Sequence, residues 1–334
     1  MNPGRALINS PGSFTIISFL KMLSRRHLRT RVMQVLYSYL HSSEKDSAAL
    51  EKEIFRGIER SYDLYLTQLL LLKELAGEEE RYYVDAPSKH LQKESPILSH
   101  LSSNIVLNHL NEDVDFSSLI EKRSISWQND HDIVKKVFHQ LRSTQEYRDY
   151  VTVQDHDAES DIDFITWLYK NVISDSEALQ NSMEEKNIWW AESLDLINSM
   201  VIKTIRVSHP SKKGKLSLMP ILREEEEDKE FLKKLFLETI RNDSYFSKLI
   251  AEKTKNWDVD RIAQMDVILM KMALSEILNF PAIPVKVSIN EYIDMSKEFS
   301  TPKSRVFING VLDSIVKELN SEGGITKTGR GLIE

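Results

Sequence analysis

Two stretches of the chain repeat one pattern of large apolar residues at a constant offset. They are FITWLYKNVISDSEALQNSMEEKNIWW (164–190) and FLKKLFLETIRNDSYFSKLIAEKTKNW (231–257), so Phe164 matches Phe231 at the start and Trp190 matches Trp257 at the end. Apolar residues spaced three or four positions apart lie on one face of an α-helix. We interpret the repeat as a duplicated helical hairpin, a unit that buries its apolar face against its neighbours. Chance similarity between two amphipathic helices is the alternative.

Helical spacing of apolar residues extends along most of the chain. It predicts a first helix through residues 28–40, a second over 46–80 and further helices over 100–205. The 334 residues include only ten glycines and nine prolines, and no stretch has the turn residues and alternation of a β-hairpin. The predicted fold class is therefore all-α.

Changes in composition divide the chain into five predicted segments. Polar sequence with proline follows the second helix, and a polar linker over 206–223 precedes an acidic helix start. The short apolar patch FTIISFL near the N-terminus has no cleavage site beside it, so a signal peptide is the weaker interpretation. The segments are a disordered extension (1–21), N-terminal helices (22–80), a helical insert with a degenerate hairpin repeat (81–220), a C-terminal helical core (221–320) and a flexible tail (321–334).

The overall composition excludes several classes of protein. The chain has no cysteine, which excludes disulfides and thiolate catalysis and fits a reducing cytoplasm. No apolar run approaches the roughly 20 residues that span a bilayer. We find no phosphate-binding glycine loop, nucleophile elbow or zinc-protease motif, so we expect neither an enzyme nor a cofactor. The net charge is −7, so any polyanion must bind a local cationic patch.

A cluster of arginines at a predicted helix start suggests such a patch. The stretch SRRHLRTRVMQVLYSYL (24–40) carries Arg25, Arg26, Arg29 and Arg31 without an acid among them. A helix N-terminus has unpaired N–H groups and favours negative charge, so these cations oppose the helix dipole. A bound phosphate would satisfy both the guanidinium groups and the N–H groups. We therefore predict binding of RNA or another polyanion; a solvated, solubilising arm is the alternative.

A second helix start near the C-terminus has the same character. In STPKSRVFINGVLDSIV (300–316), Thr301 is predicted as the N-cap and Pro302 as the first helical residue. Lys303 and Arg305 then fall in the first turn, against the dipole. Phe307 is either a core aromatic or a stacking surface for a base. If the two helix starts adjoin in the fold, they form one cationic cradle.

At these residues the chain resembles the NusB family of bacterial transcription antitermination factors. The stretch RRHLRTRVMQVLYSY is similar to the family's first helix, and residues 256–316 are similar to its core. The resemblance covers roughly 24–75 and 225–317, and the long middle segment resembles the form found in Bacteroidetes-type bacteria. The matching core residues are Trp257, Asp260–Arg261, Asp266, Leu269, Glu276, Pro284, Val287, Ile289–Asn290–Glu291, Lys297, Phe299, Phe307 and Asn309–Gly310–Val311–Leu312–Asp313.

The resemblance implies a fold of two small helical bundles, here with an additional helical insert. It implies a factor that binds boxA-type single-stranded leader RNA together with the small-subunit ribosomal protein NusE. That complex acts on RNA polymerase and supports ribosomal RNA transcription.

The resemblance also assigns roles to individual residues. It implies RNA contacts by Arg25, Arg26, Arg29, Lys303 and Phe307, to which the charge pattern adds Arg31 and Arg305. His27 stands where an arginine is common in the family. The resemblance implies a protein-partner surface at Tyr37 and Glu276.

Two further interpretations follow from the residues themselves. Gly310 in a helix costs about 1 kcal/mol relative to Ala, so we expect a close helix contact there. The match between Trp257 and Trp190 favours core packing over base stacking.

Two other functions compete with RNA binding. One is a helical protein–protein scaffold whose arginines form a solvated arm. The other is an RNA-modifying enzyme, because NusB-like domains also precede ribosomal RNA methyltransferases. The family-like region runs to the C-terminus and leaves no room for a cofactor domain, which disfavours the enzyme.

Overall fold

A computed structural model of the chain confirms the all-α fold class. It describes residues 23–43, 46–85, 100–187, 190, 193–208, 216–255 and 262–332, and their regular structure is entirely helical. The predicted extension (1–21) and Trp257 lie outside these residues. In chain order, the helices of eight residues or more in the first half are α1 (Arg25–His41), α2 (Ser47–Asp85), α3 (Ile105–Glu112), α4 (Val114–Lys122) and α5 (His131–Ser143).

The remaining helices carry both copies of the repeat. They are α6 (Gln145–Val151), α7 (Ala158–Leu168, continued by a π-helical turn over Tyr169–Ile173), α8 (Glu177–Lys186), α9 (Leu194–Arg206), α10 (Glu225–Arg241), α11 (Asp243–Lys253), α12 (Gln264–Asn279), α13 (Val285–Phe299) and α14 (Ser304–Ser321).

The chain forms two compact units, divided within α2. The middle unit contains Asp63–Pro220, and the terminal unit contains Leu23–Tyr62 with Ile221–Glu334. The division therefore falls between residues 62 and 63, whereas the sequence placed the start of the insert at residue 81.

The terminal unit is built around α12. Every residue from Ile268 to Ile277 is buried, as expected for a helix that is surrounded by others. Helices α1, α10, α11, α13 and α14 all pack against it. The tail also contacts this unit: the Lys327 ammonium donates to the Phe280 carbonyl at 3.1 Å, and the Thr328 N–H donates to the Pro281 carbonyl at 3.0 Å.

The middle unit holds a second core in which α7 packs against α3 and α9. Several buried polar groups of this core are paired through hydrogen bonds. The Tyr150 hydroxyl donates to the Asp161 carboxylate at 2.7 Å. The Tyr147 hydroxyl donates to Glu79 at 2.6 Å, and burial raises the pKa of that carboxyl.

The helical hairpins of the two units follow the repeat. Helices α7 and α10 begin at Ala158 and Glu225, and α8 and α11 end at Lys186 and Lys253, which is the offset of the sequence repeat at both ends. The same positions are buried in both copies, which supports a proposal of duplication. The buried pairs at this offset include Asp161 and Asp228, Phe164 and Phe231, Ile165 and Leu232, Leu168 and Leu235, and Tyr169 and Phe236.

Three local predictions were wrong. Helix α2 continues through Gly77 to Asp85, so the polar sequence after Leu75 does not end it. Helix α14 begins at Ser304, because the Thr301 N–H and hydroxyl both bond to the Ser304 hydroxyl and form a turn before the helix. Gly310 makes no close contact: a Cβ built there would meet no heavy atom within 4 Å.

Candidate nucleic-acid interface

Helix α1 begins directly after Ser24, whose backbone N–H donates to the Nδ1 atom of His27 at 3.1 Å. The His27 ring thus fills the place that Glu or Gln occupies in a capping box. The first turn contains no acidic residue, as the sequence indicated. Arg25 and Arg26 therefore follow a capped helix start. The carboxylates that pair with them belong to other helices.

Arg25 is paired with the start of α10. Its Nε atom lies 3.2 Å from the Asp228 carboxylate, and its guanidinium carbon lies 4.5 Å from the centre of the Phe231 ring. Asp228 is buried and also accepts the backbone N–H groups of Arg223 and Glu224, which fixes its orientation. The Arg25 side chain remains 39% exposed. It is held in place while one part stays open to solvent.

Arg26 reaches two carboxylates one turn apart on α13. It lies 3.2 Å from Glu291 and 2.9 Å from Asp294, and its side chain is 37% exposed. The hydrogen bond to Glu291 raises the pKa of Arg26 above its ordinary value. Hydrogen bonds from Lys297 and then from Arg26 lower the pKa of Asp294. The local charge at Arg26 is therefore largely neutralised.

Arg29 is part of the core. Its guanidinium donates to both oxygens of Glu276, at 2.7 and 2.8 Å, and both side chains are buried. The Ser288 and Tyr292 hydroxyls donate to the same carboxylate at 2.7 and 3.1 Å. Burial opposes the charge, but the hydrogen bonds to Glu276 outweigh it and raise the pKa of Arg29. Arg29 therefore joins α1 to α12 and α13.

Arg31 is also buried, on the other side of α1. It donates to Gln34 at 3.1 Å and to the Ser61 hydroxyl at 3.4 Å. It lies against Gly57, where a Cβ would approach the Arg31 Cδ to 3.1 Å. The glycine gives the arginine room to pass over α2.

The expected cluster of free arginines is therefore absent from the described start of α1. Carboxylates from α10, α12 and α13 supply the negative charge that we had assigned to a phosphate. Only Arg25 and Arg26 keep a substantial exposed fraction, and Arg29 and Arg31 are inside the protein. The unfavourable interaction between these arginines and the dipole of α1 is therefore offset largely by carboxylates of the same chain.

The start of α14 retains unpaired cations. The side chains of Lys303 and Arg305 are exposed, and neither side chain has an ion pair or hydrogen bond within the part of the chain that the structure describes. The adjacent Val306 is 77% exposed. Asp266 of α12 holds this turn in place, because its carboxylate accepts hydrogen bonds from the hydroxyls of Ser300 at 2.5 Å and Ser304 at 2.8 Å. Phe307 is buried, so of its two interpretations the core position is correct.

The two cationic helix starts attach to opposite ends of α12. Arg29 binds Glu276 near the C-terminal end, and Ser304 binds Asp266 near the N-terminal end. The two carboxylates are ten residues apart, which is about 15 Å along a helix. A single cradle at one helix end is therefore not formed.

The two residues assigned to a protein-partner surface differ in exposure. Tyr37 is 42% exposed, and its ring packs 4.2 Å from that of His41. Glu276 is fully buried and its carboxylate accepts four hydrogen bonds, so its placement on a surface was wrong.

Sequence reasoning missed the carboxylates that bind the arginines. Glu291 and Asp294 are three residues apart on α13, a spacing that places both on one helix face. That signal was present in the sequence. The pairing of this face with α1 was not, because the partners are more than 260 residues apart.

The described residues carry neither a metal-ligand cluster nor a membrane-spanning helix. They contain no group of three or more His, Cys, Asp or Glu side chains placed to hold a metal ion. None of their helices is long and apolar enough to cross a membrane.

Comparison with known proteins gives the context of this site. The NusB family profile matches residues 194–317, which include α9 to α13 and most of α14. The transcription antitermination protein NusB of Salinibacter ruber is 41% identical over 112 residues, which are 34% of this chain and 70% of the relative. That of Chloroherpeton thalassium is 41% identical over 106 residues, 32% of this chain and 50% of the relative.

A third relative, the transcription antitermination protein NusB of Natranaerobius thermophilus, is 37% identical over 105 residues, 30% of this chain and 76% of the relative. No solved structure matches the chain. The identity and the coverage of these relatives, together with the all-helical terminal unit, lead to one assignment. The chain belongs to the NusB family of transcription antitermination proteins.

Proposed function

We propose that the chain is a non-enzymatic cytoplasmic adaptor that binds boxA-type single-stranded leader RNA together with the ribosomal protein NusE. In this role it joins the antitermination complex on RNA polymerase and supports transcription of ribosomal RNA. The observation that carries the RNA-binding part is the exposed, unpaired pair of cations at the start of α14, Lys303 and Arg305.

The chemistry of this helix start suits a phosphate backbone. The first N–H groups of a helix have no partner within the helix, and the dipole places partial positive charge beside them. The net charge is −7, so the full chain does not attract RNA without such a local patch. Lys303 and Arg305 provide that patch without any described carboxylate paired to them that would compete with an incoming phosphate.

Arg25 and Arg26 extend the proposed RNA site along the terminal unit. Their side chains are about two-fifths exposed, and their carboxylate partners hold them in fixed positions. Because the two helix starts are separated along α12, an extended single strand suits them better than one phosphate group. Arg29 acts as a positioning residue that fixes α1, rather than as an RNA contact.

The experiment measures RNA affinity as a function of salt for the double variant Lys303→Ala/Arg305→Ala. Each phosphate neutralised on a single strand contributes about 0.7 to the slope of log K against log salt. Loss of two contacts therefore lowers the magnitude of the slope by about 1.4 and weakens binding at low salt. The matched control is Lys248→Ala/Lys317→Ala, which removes two exposed lysines elsewhere in the terminal unit.

An unchanged slope in the α14 variant, or an equal change in the control, contradicts the proposed site. The variant Arg25→Ala/Arg26→Ala tests the extension to α1. Arg29 is left intact because its removal would disturb the core. Circular dichroism establishes that each variant is folded before its affinity is interpreted.

A scaffold that binds proteins without RNA is the second candidate. The specific observation in its favour is that Arg25, Arg26 and Arg29 are all paired with carboxylates of the same chain. Capture of NusE with no added affinity for a boxA-like RNA would support this candidate. The exposed ring of Tyr37 is the part of the assigned partner surface that remains accessible, and Tyr37→Ala tests it.

A further inference from the structure

Gly310 lies inside α14, at a position where nothing in the described part of the protein requires a glycine. Glycine weakens a helix interior relative to alanine, so it needs a compensating reason. Its backbone conformation does not supply one, since the described glycines with positive φ are Gly323 and Gly329. Packing does not supply one either, because a Cβ built at Gly310 meets no heavy atom within 4 Å. The usual reason that remains is close approach of a ligand to the helix backbone.

Gly310 belongs to a face of α14 that points away from the core. Lys303, Val306 and Gly310 are three and four residues apart and therefore lie on one side of the helix, which we call the outer face. The buried residues of α14 occupy the other side. Val306 is 77% exposed, more than any other large apolar side chain in the described part of the terminal unit. The outer face therefore combines a cation, an apolar side chain and uncovered helix backbone.

These three features together suit a nucleotide strand. The Lys303 ammonium, which has no partner among the described residues, attracts phosphate. The apolar side chain of Val306 suits the carbon atoms of a ribose or a base. Seven residues separate Lys303 from Gly310, about 10 Å along the helix, so the face is long enough for more than one nucleotide. Asp313 is exposed one turn further along and repels phosphate, so it marks the end of the face.

We propose that the outer face of α14 seats single-stranded RNA, with ribose or base carbon atoms against Val306 and the strand in contact with the helix backbone at Gly310. This inference rests on the proposed RNA-binding function. It adds two uncharged residues that determine how closely the strand approaches α14, whereas the cations at the helix start attract it.

A second copy of the chain fits this face less well. In an antiparallel pair of α14 helices that cross at Gly310, Lys303 of one copy faces Lys317 of the other, because both are seven residues from the glycine. In a parallel pair, the Lys303 side chains of the two copies face each other. Either arrangement brings like charges together, which opposes association.

The test measures the affinity of the full chain for a boxA-like single-stranded RNA by fluorescence anisotropy. Gly310→Leu should weaken binding about tenfold, because a large side chain occupies the space that the strand needs. Val306→Thr keeps the shape and should weaken binding about fourfold, as expected when one methyl-sized apolar group is no longer buried. Urea unfolding should show that neither variant is destabilised, since leucine is a better helix former than glycine and Val306 is exposed.

The matched controls are Asn320→Leu, which adds the same side chain near the other end of α14, and Val287→Thr, which changes an exposed valine of α13. Both should bind RNA as the natural chain does, and an equal loss in them overturns the inference. Unchanged RNA affinity in Gly310→Leu overturns this inference alone when Lys303→Ala/Arg305→Ala still weakens binding. Absence of RNA binding by the natural chain overturns the proposed function as well. Loss of NusE capture or of self-association in Gly310→Leu, with RNA affinity unchanged, would assign the face to a protein contact instead.

Discussion

Replacing Glu276 by Gln removes the charge that balances the buried guanidinium of Arg29. The pair is bidentate, with bonds of 2.7 and 2.8 Å, and both side chains are buried. Removing one partner of such a pair costs about 3–5 kcal/mol, because a charge is left uncompensated. Glu291 lies 3.3 Å from the same guanidinium and remains, so we expect the lower end, about 3 kcal/mol.

Urea denaturation followed by two probes separates the effect on the two units. Four of the five tryptophans lie in the middle unit, at positions 127, 167, 189 and 190, so fluorescence reports mainly on that unit. Circular dichroism reports on both units. We expect Glu276→Gln to shift the circular dichroism transition to lower urea and to leave the fluorescence transition nearly unchanged.

Two further variants make the test specific. Arg56→Ala removes an exposed pair with Glu53 in the same unit and should cost less than about 1 kcal/mol. Combining Arg29→Met with Glu276→Gln should cost less than the sum of the two single changes, because each single variant leaves an unpaired partner. A loss for Glu276→Gln no larger than that for Arg56→Ala would refute the reasoning that this pair holds α1 on the core.

Three further predictions concern single residues. Gly310→Ala should raise the free energy of unfolding by about 1 kcal/mol, since a Cβ there has open space; destabilisation in urea would contradict this. Gly331→Ala places a Cβ 1.9 Å from the Pro281 carbonyl oxygen, so the tail must move and the Thr328 amide should exchange its hydrogen faster. Burial raises the pKa of Glu79 above its ordinary 4.5, so its contribution to stability is greatest below that pH and declines as the pH rises through the folded-state pKa. Glu79→Gln should therefore flatten the pH dependence of unfolding of the middle unit, and an unchanged slope would count against the assignment.

The helical architecture was predictable because its signals are local. Apolar spacing located α1, α2 and the two hairpins, and the repeat placed equivalent buried positions at one constant offset. Helix ends were less predictable. Helix α14 begins at Ser304 rather than at Pro302, where the Ser304 hydroxyl bonds both to Thr301 in the preceding turn and to Asp266, a residue 38 positions earlier. Long-range bonds of this kind have no local signal.

The arginines at the start of α1 show the same limit on the prediction of function from sequence. Cations that oppose a helix dipole require negative charge, but the sequence does not say whether a ligand or the protein supplies it. Here carboxylates about 250 residues or more away along the chain supply it to Arg26 and Arg29. At the start of α14, where the local sequence has the same character, no described carboxylate does so for Lys303 and Arg305. The less arginine-rich of the two helix starts is therefore the stronger candidate for the phosphate backbone, because attraction depends on unpaired charge rather than on the number of cations.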